Sequence, residues 1–258
     1  MSLVCYSYYE TKASMTNLCF FMRHGIVPDT DYILVVNGHK CSAKLPPGVK
    51  VLRRENTGGD FGAWGAALSS IGLKTYTRFV FLNDTVRGPF LPRYIQHNTT
   101  WVDLLTSRLG EKIKLVGPTM NSRPWGQITP GGKHVQSMCF CTDLKGLQIL
   151  LRSQIFCVSD TGSKNEGKSD DARKKFILEH EIGMSQALIN AGYEVTSLQL
   201  SDNSAIPTGD IHFPGKYFGT TVHPLEVMFV KSERFMAQSE GRRILELCTR
   251  FCYRNTDV

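Results

Sequence analysis

Long apolar runs are missing from this chain. None of its 258 residues sit in a stretch approaching the roughly 20 consecutive apolar residues needed to cross a bilayer, so a helical membrane span is not expected. The opening MSLVCYSYYE has neither the basic start nor the continuous apolar centre of a secretory signal peptide. A soluble, cytoplasmic protein is the simplest expectation, although a lumenal piece of a longer parent would read the same. Basic runs interleaved with aromatics are also missing, and the excess of 30 Lys and Arg over 23 Asp and Glu is modest. That balance suits a small anionic ligand and argues against nucleic acid as a partner. Zinc-knuckle spacing is absent among the eight cysteines. Cys139 and Cys141 lie two apart, at strand spacing, and Cys248 and Cys252 four apart, at helical spacing. Free thiols are expected, which favours a reducing compartment. The Asn-x-Thr triplets at Asn83 and Asn98 read as accidental sequons.

What is present is an alternation of short apolar runs and helical patterns. Strands are predicted over 3–8, 32–37, 49–53, 78–83, 114–120, 135–142 and 193–198. Helices are predicted over 16–25, 61–71, 101–108, 145–156, 172–191 and 241–253. Strand, helix, strand through the first half implies an α/β fold with a mainly parallel sheet and helices on both faces. No internal repeat or long Pro/Gly-rich linker divides residues 1–258, so one domain is expected. The charge-rich segment 163–176 mixes both signs and reads as a solvated loop entering a helix.

Ligands of such sheets collect beyond the carboxyl ends of the strands. Those ends read Tyr6-Ser7-Tyr8, Asn37-Gly38, Arg54-Glu55-Asn56 and Asn83-Asp84-Thr85, polar or aromatic groups suited to a nucleotide. RFVFLNDTVRGPF, residues 78–90, is the sharpest case, because an apolar strand stops on three small polar side chains. A turn built on Asn and Asp, and a cation or phosphate site, both look like this. RRENTGGDFGAWGAAL, residues 53–68, passes from a strand through a Gly-rich turn into a helix. Its helix start could receive an anion, or it is a plain βα turn with Asp60 as N-cap; the Lys-Ser/Thr ending of a P-loop is missing.

Three further segments carry candidate chemistry. In RKKFILEHEIGMSQALINAGYEV, residues 173–195, Glu181 falls within an apolar stripe shared by Ile177, Met184 and Leu188. A carboxylate there is either paired with a base or faces a cavity, where it would suit a general base. TTVHPLEVMFVKSERF, residues 220–235, places His223 before an apolar run, with Lys231 and Arg234 after it. The two cations could clamp a phosphate or be surface charges. FFMRHGI, residues 20–26, has the Arg-His-Gly of histidine phosphatases, in which the His accepts a phosphoryl group. It reads more simply as a helix end, with Gly25 as C-cap and Arg23 and His24 in the last turn.

Taken together, YSYYE, NLCFFMRHGI, DYILVVNG, RRENTGGDFGAW, FLNDTVRGPF, KLVGPTMN, HVQSMCF and VHPLEVMFVK resemble the rhamnan-synthesis F-like group of glycosyltransferases, over nearly the whole chain. The resemblance implies a GT-A fold, a UDP- or dTDP-sugar donor, a glycan or polysaccharide acceptor and a divalent metal, Mn or Mg. By position, Asn83-Asp84-Thr85 takes the place of the metal-binding Asp-x-Asp, with one carboxylate instead of two. The resemblance likewise implies Glu181 as the base, His223 as a late metal ligand, and Tyr8, Asn37 and Asp60 around the nucleoside and donor. A non-catalytic nucleotide- or glycan-binding relative is the alternative from a different class.

Overall fold

The computed structural model describes residues 1–95, 98–121, 133–157, 170–199, 215 and 217–254. The part of the charge-rich loop over 163–169 lies outside the described residues. In chain order the strands are β1 (Ser2–Tyr9), β2 (Thr30–Asn37), β3 (Val49–Arg54), β4 (Arg78–Asn83), β5 (Val86–Arg87), β6 (Ile113–Gly117), β7 (Met120–Asn121), β8 (His134–Val135), β9 (Cys139–Asp143), β10 (Glu194–Ser197) and β11 (Val230–Lys231). The helices are α1 (Lys12–His24), α2 (Gly59–Ser69), α3 (Trp101–Thr106), α4 (Leu144–Arg152), α5 (Asp170–Phe176), α6 (Gly183–Asn190), α7 (Pro224–Val227), α8 (Ser232–Met236) and α9 (Ser239–Arg254).

A seven-stranded sheet in the order β10-β6-β9-β4-β1-β2-β3 forms the centre. All its neighbours pair in parallel except β9, which runs antiparallel to β4 and β6. The α/β class, the mainly parallel sheet and the two helical layers are as the sequence predicts; the reversed β9 departs from its pattern. Apolar runs such as Phe79-Val80-Phe81-Leu82 are buried on both sides, as a sheet covered on both faces requires. β3 lies at an edge and carries Lys50 and Arg53, charges that blunt an open edge.

Alternating side chains of the strands feed two cores. On one face Leu3, Cys5, Phe79 and Phe81 pack with Phe61 and Trp64 of α2, Leu147 of α4 and Met184 of α6. On the other, Val4, Tyr6, Val80 and Leu82 meet Leu18 and Phe21 of α1 and Trp101 of α3. Trp64 and Trp101 bury their rings with a partner for the indole N–H: Trp64 donates to the Leu82 carbonyl at 3.2 Å and Trp101 to the Gly25 carbonyl at 2.8 Å. A third cluster, including Phe20, Phe90, Phe235 and Leu245, joins α8 and α9 to the back of α1.

Local signals explain several boundaries. Thr11 and Ser14 form a capping box that starts α1 four residues earlier than hydrophobic spacing alone suggests. Its end is as expected, with Gly25 as C-cap and Arg23 and His24 in the last turn. α2 starts after Gly58, held at φ 67, so Gly58 is the N-cap and Asp60 stands in the first turn instead. The strand predicted over 135–142 is broken into β8 and β9, and that over 114–120 into β6 and β7. The helix predicted over 172–191 contains a π-helical stretch, Ile177–Ile182, between α5 and α6. Within it His180 and Ile182 are buried, and Glu181 between them is half-buried.

Before β1 the chain has made no choice of side; α1 then carries it to β2 on one flank, and α2 brings β4 back to the other. This reversal opens a crevice beyond the carboxyl ends of β1 and β4.

His24 offers a test of the α1–α9 contact. Its ring packs between Phe20 and Tyr253, and burial, with Arg23 alongside, pushes its pKa below the ordinary histidine value. A His with a depressed folded pKa binds its proton more readily when unfolded, so stability is expected to fall as the pH drops through about 6.5. Urea denaturation between pH 7.5 and pH 5 should show this loss, and His24→Phe should reduce it.

Candidate functional site

The crevice is organised by one carboxylate. Asp60 Oδ1 accepts the Ser7 hydroxyl at 2.9 Å, and Oδ2 accepts the Asn83 amide at 2.9 Å. Ser7 accepts in turn from the Asn37 amide at 3.2 Å, and Asn37 Oδ1 accepts from Arg54 at 3.3 Å. The second nitrogen of that guanidinium donates to the Thr57 carbonyl at 2.8 Å and hydroxyl at 2.7 Å, bracing the Gly-rich turn. At the other end, Asn83 Oδ1 accepts both the Thr85 N–H at 3.1 Å and the Thr85 hydroxyl at 2.6 Å. An unbroken chain of hydrogen bonds thus crosses the ends of β3, β2, β1 and β4.

The chain explains why position 83 carries an amide. Asn83 must donate to Asp60 while accepting twice from Thr85, and a carboxylate offers acceptors alone. Desolvation is the cost of placing these groups at a buried strand end, since Asn37 and Asn83 are 3% and 5% exposed; the hydrogen bonds offset it.

Asp84 faces the opposite way from Asn83. Its Oδ2 accepts the Tyr9 N–H at 2.7 Å, which ties the end of β1 to the turn after β4. Asn17, buried on α1, donates to the Asp84 carbonyl at 2.9 Å and to the Ser232 hydroxyl at 2.8 Å, and accepts from Arg87 at 3.1 Å. Ser232 N–H bonds the Thr85 carbonyl at 3.0 Å, so α8 is locked to the same turn.

These elements enclose a cleft of about 510 Å³. Of the residues expected from sequence, Asn37, Asn56, Asp60, Asp84 and Thr85 line it. Tyr9, Thr11, Ser14, Asn17 and Glu233 line it as well and had not been singled out. Among the described residues its charged walls are Asp60, Asp84 and Glu233, all carboxylates. Ser7 and Asn17 had a signal in the sequence: each is a polar residue at a position that strand or helix periodicity buries. Glu233 had none.

Other expected residues stand elsewhere. Tyr8 is fully buried on the opposite face of β1 from Ser7, its phenol donating to Glu10 at 3.4 Å and its pKa pushed up by burial. Asn83 lies beneath the cleft as its support. Lys231 pairs with Val86 across β11 and β5 and does not line the cleft. Arg234, on α8 beside Glu233, has its pKa lowered by burial, with Glu181 opposing the shift and Arg173 adding to it. Glu181 accepts the Ser137 N–H at 3.4 Å, next to Met138, whose carbonyl accepts the Asn83 N–H at 3.1 Å. It therefore borders the same end of the sheet without lining the cleft. His223 caps α7, its Nδ1 accepting the Leu225 N–H at 3.2 Å, and lines a separate groove. The structure does not bring it to Asp84 and Thr85. Among the described residues, no group of three or more His, Cys, Asp or Glu side chains is placed to hold a metal ion.

Asn83→Asp tests the network. It would set a carboxylate against Asp60 and remove a donor, and is expected to cost about 1–3 kcal/mol at pH 7. The pair should take up a proton in the folded state, so the loss should shrink as the pH falls below about 5. Urea denaturation at both pH values measures this; an unchanged stability at pH 7 would contradict the assigned amide orientation. No protein-family model matches this chain, and no curated protein matches it, so its own residues carry the functional reading.

Proposed function

We propose that the chain is a GT-A-fold glycosyltransferase that moves a hexose or deoxyhexose from a UDP- or dTDP-sugar to a glycan acceptor, assisted by divalent Mn or Mg. The observation that carries this reading is the cleft at the reversal of strand order, whose charged walls are carboxylates. A sugar nucleotide's diphosphate would be repelled by such walls unless a divalent cation lay between them. The donor set suits one: Asp84 and Glu233 are hard oxygen ligands, and Mg²⁺ is commonly held by one or two carboxylates together with substrate phosphates. Asp60 has each carboxylate oxygen engaged, by Ser7 and by Asn83, and serves to fix the floor. When bound, the cation would offset the negative charge that grows on the departing diphosphate.

The chain's own residues supply the remainder. Asn37, Asn56 and Thr85 offer hydrogen bonds to the donor, and Lys231 and Arg234 add positive potential near the β4 end. Glu181, close to Ser137 and within electrostatic range of Arg234, would take the proton of the acceptor hydroxyl. In-line attack opposite the leaving diphosphate would invert the sugar's configuration.

A second reading is a nucleotide- or glycan-binding domain without turnover. Two observations favour it: Glu181 stands off the cleft wall, and Asn83 is committed to Asp60 and Thr85. Calorimetric titration with UDP and dTDP, with and without Mn²⁺, is expected to show metal-dependent binding that Asp84→Ala weakens at least tenfold. Absence of nucleotide binding in every condition would overturn the transferase and the nucleotide-binding domain alike. Glu181→Gln then separates them: a drop of a hundredfold or more in sugar transfer, with donor binding retained, supports the base, and an unchanged rate removes it.

A further inference from the structure

We propose that the groove between α7 and α9 is a docking surface for an anionic lipid membrane, an inference independent of the chemistry at the cleft. The groove measures about 610 Å³, and its walls include Arg93, His223, Leu225, Leu247, Arg250 and Phe251. Its character is opposite to that of the cleft. Among the described residues its charged walls are the two arginines, and the rest is largely apolar. Arg93 lies over the Phe251 ring, 5.1 Å from the centroid, which keeps a guanidinium against an apolar floor. His223 uses Nδ1 as an acceptor for the Leu225 N–H, so its neutral ring carries the proton on Nε2 as a further donor.

The helix beside the groove continues this pattern. α9 buries Leu245 and Cys248 in the third core cluster. Arg243, Leu247 and Arg250, spaced i, i+4 and i+7, form one exposed stripe, in which Leu247 is 56% exposed. Arg242 is exposed beside it, and Glu246 is the acidic neighbour. Leu247, open to water between two arginines and continuous with Leu225 and Phe251 of the groove, gives the surface the mixed cationic and apolar character that an anionic membrane interface complements. Anionic headgroups answer the charge, and acyl chains answer Leu225, Leu247 and Phe251. α1 connects the two surfaces: its first turn borders the cleft, and His24 at its end packs on Tyr253 of α9. Its 13 residues would hold the cleft about 20 Å from the bound surface.

Co-sedimentation of the full chain with phosphatidylcholine vesicles, with and without 30 mole per cent phosphatidylglycerol, tests this. Wild type is expected to bind the anionic vesicles at least tenfold more tightly than the neutral ones, less so at high salt. Arg243→Gln with Arg250→Gln should weaken that binding about 30-fold. The exposed pair Lys145→Gln with Arg152→Gln on α4 removes the same charge elsewhere and should weaken it less than about threefold. All four positions are exposed, and matched thermal melts identify any variant that has lost its fold. Equal binding to both vesicle types, no binding to either, or equal loss in both variants would overturn the proposal. So would capture of a polyglutamate peptide in place of vesicles, which would make the groove an acidic-peptide site.

Discussion

The carboxylate of Asp60 receives two hydrogen bonds from residues far from it in sequence, Ser7 on β1 and Asn83 on β4. That pair of bonds fixes the geometry of the whole sheet end. β1 and β4 are the strands at which the chain changes direction across the sheet, and nothing in their backbone pairing determines how their ends are finished. Asp60 finishes them, from the first turn of a helix that packs over both. Arg54 extends the arrangement to β3 through Asn37, and Asn83 extends it to Thr85. Groups that would be costly if buried alone become stiff once each has its partner.

This stiffness sets the character of the cleft above. With Asn83 turned down to Asp60 and Thr85, the neighbouring Asp84 is presented on the other side, anchored by the Tyr9 amide. Asn17 carries the constraint to Ser232, and so to α8, which sets Glu233 on the cleft and Arg234 towards Glu181. Glu233 thus faces the acidic cleft, while Arg234 lies among Glu181 and Arg173. The π-helical stretch makes a second contribution, since it carries Glu181, half-buried between the buried His180 and Ile182, to the same end of the sheet.

Much of the fold was legible because periodicity reports burial directly. Phe79 to Leu82 could be read as a strand covered on both faces, and Phe61, Trp64 and Leu68 as one face of a helix, without knowing what they touch. The strand ends were legible for a related reason: an apolar run that stops on Asn, Asp and Thr leaves polar groups where such sheets bind ligands. The direction of β9 was not legible, because a short buried strand reads alike whichever way it runs. Nor was the π-helical turn, whose extra residue breaks the spacing on which helical reading depends. Tyr8 shows the limit most simply. A shift of one residue along β1 moves a side chain from the cleft side of the sheet to the far core, and Tyr9, its neighbour, is the tyrosine that reaches the cleft.

The sequence by itself determined the α/β class, the two helical layers, and the set of polar residues at the carboxyl ends of β1 to β4, since each follows from local spacing and side-chain chemistry. Tertiary structure alone decided which of those residues act together. Asp60 is bonded to residues 53 positions before it and 23 positions after it, a juxtaposition created by strand order. It also decided that His223 belongs to a basic, apolar groove and Asp84 to an acidic cleft, because the sign of charge around a side chain is set by its neighbours in space.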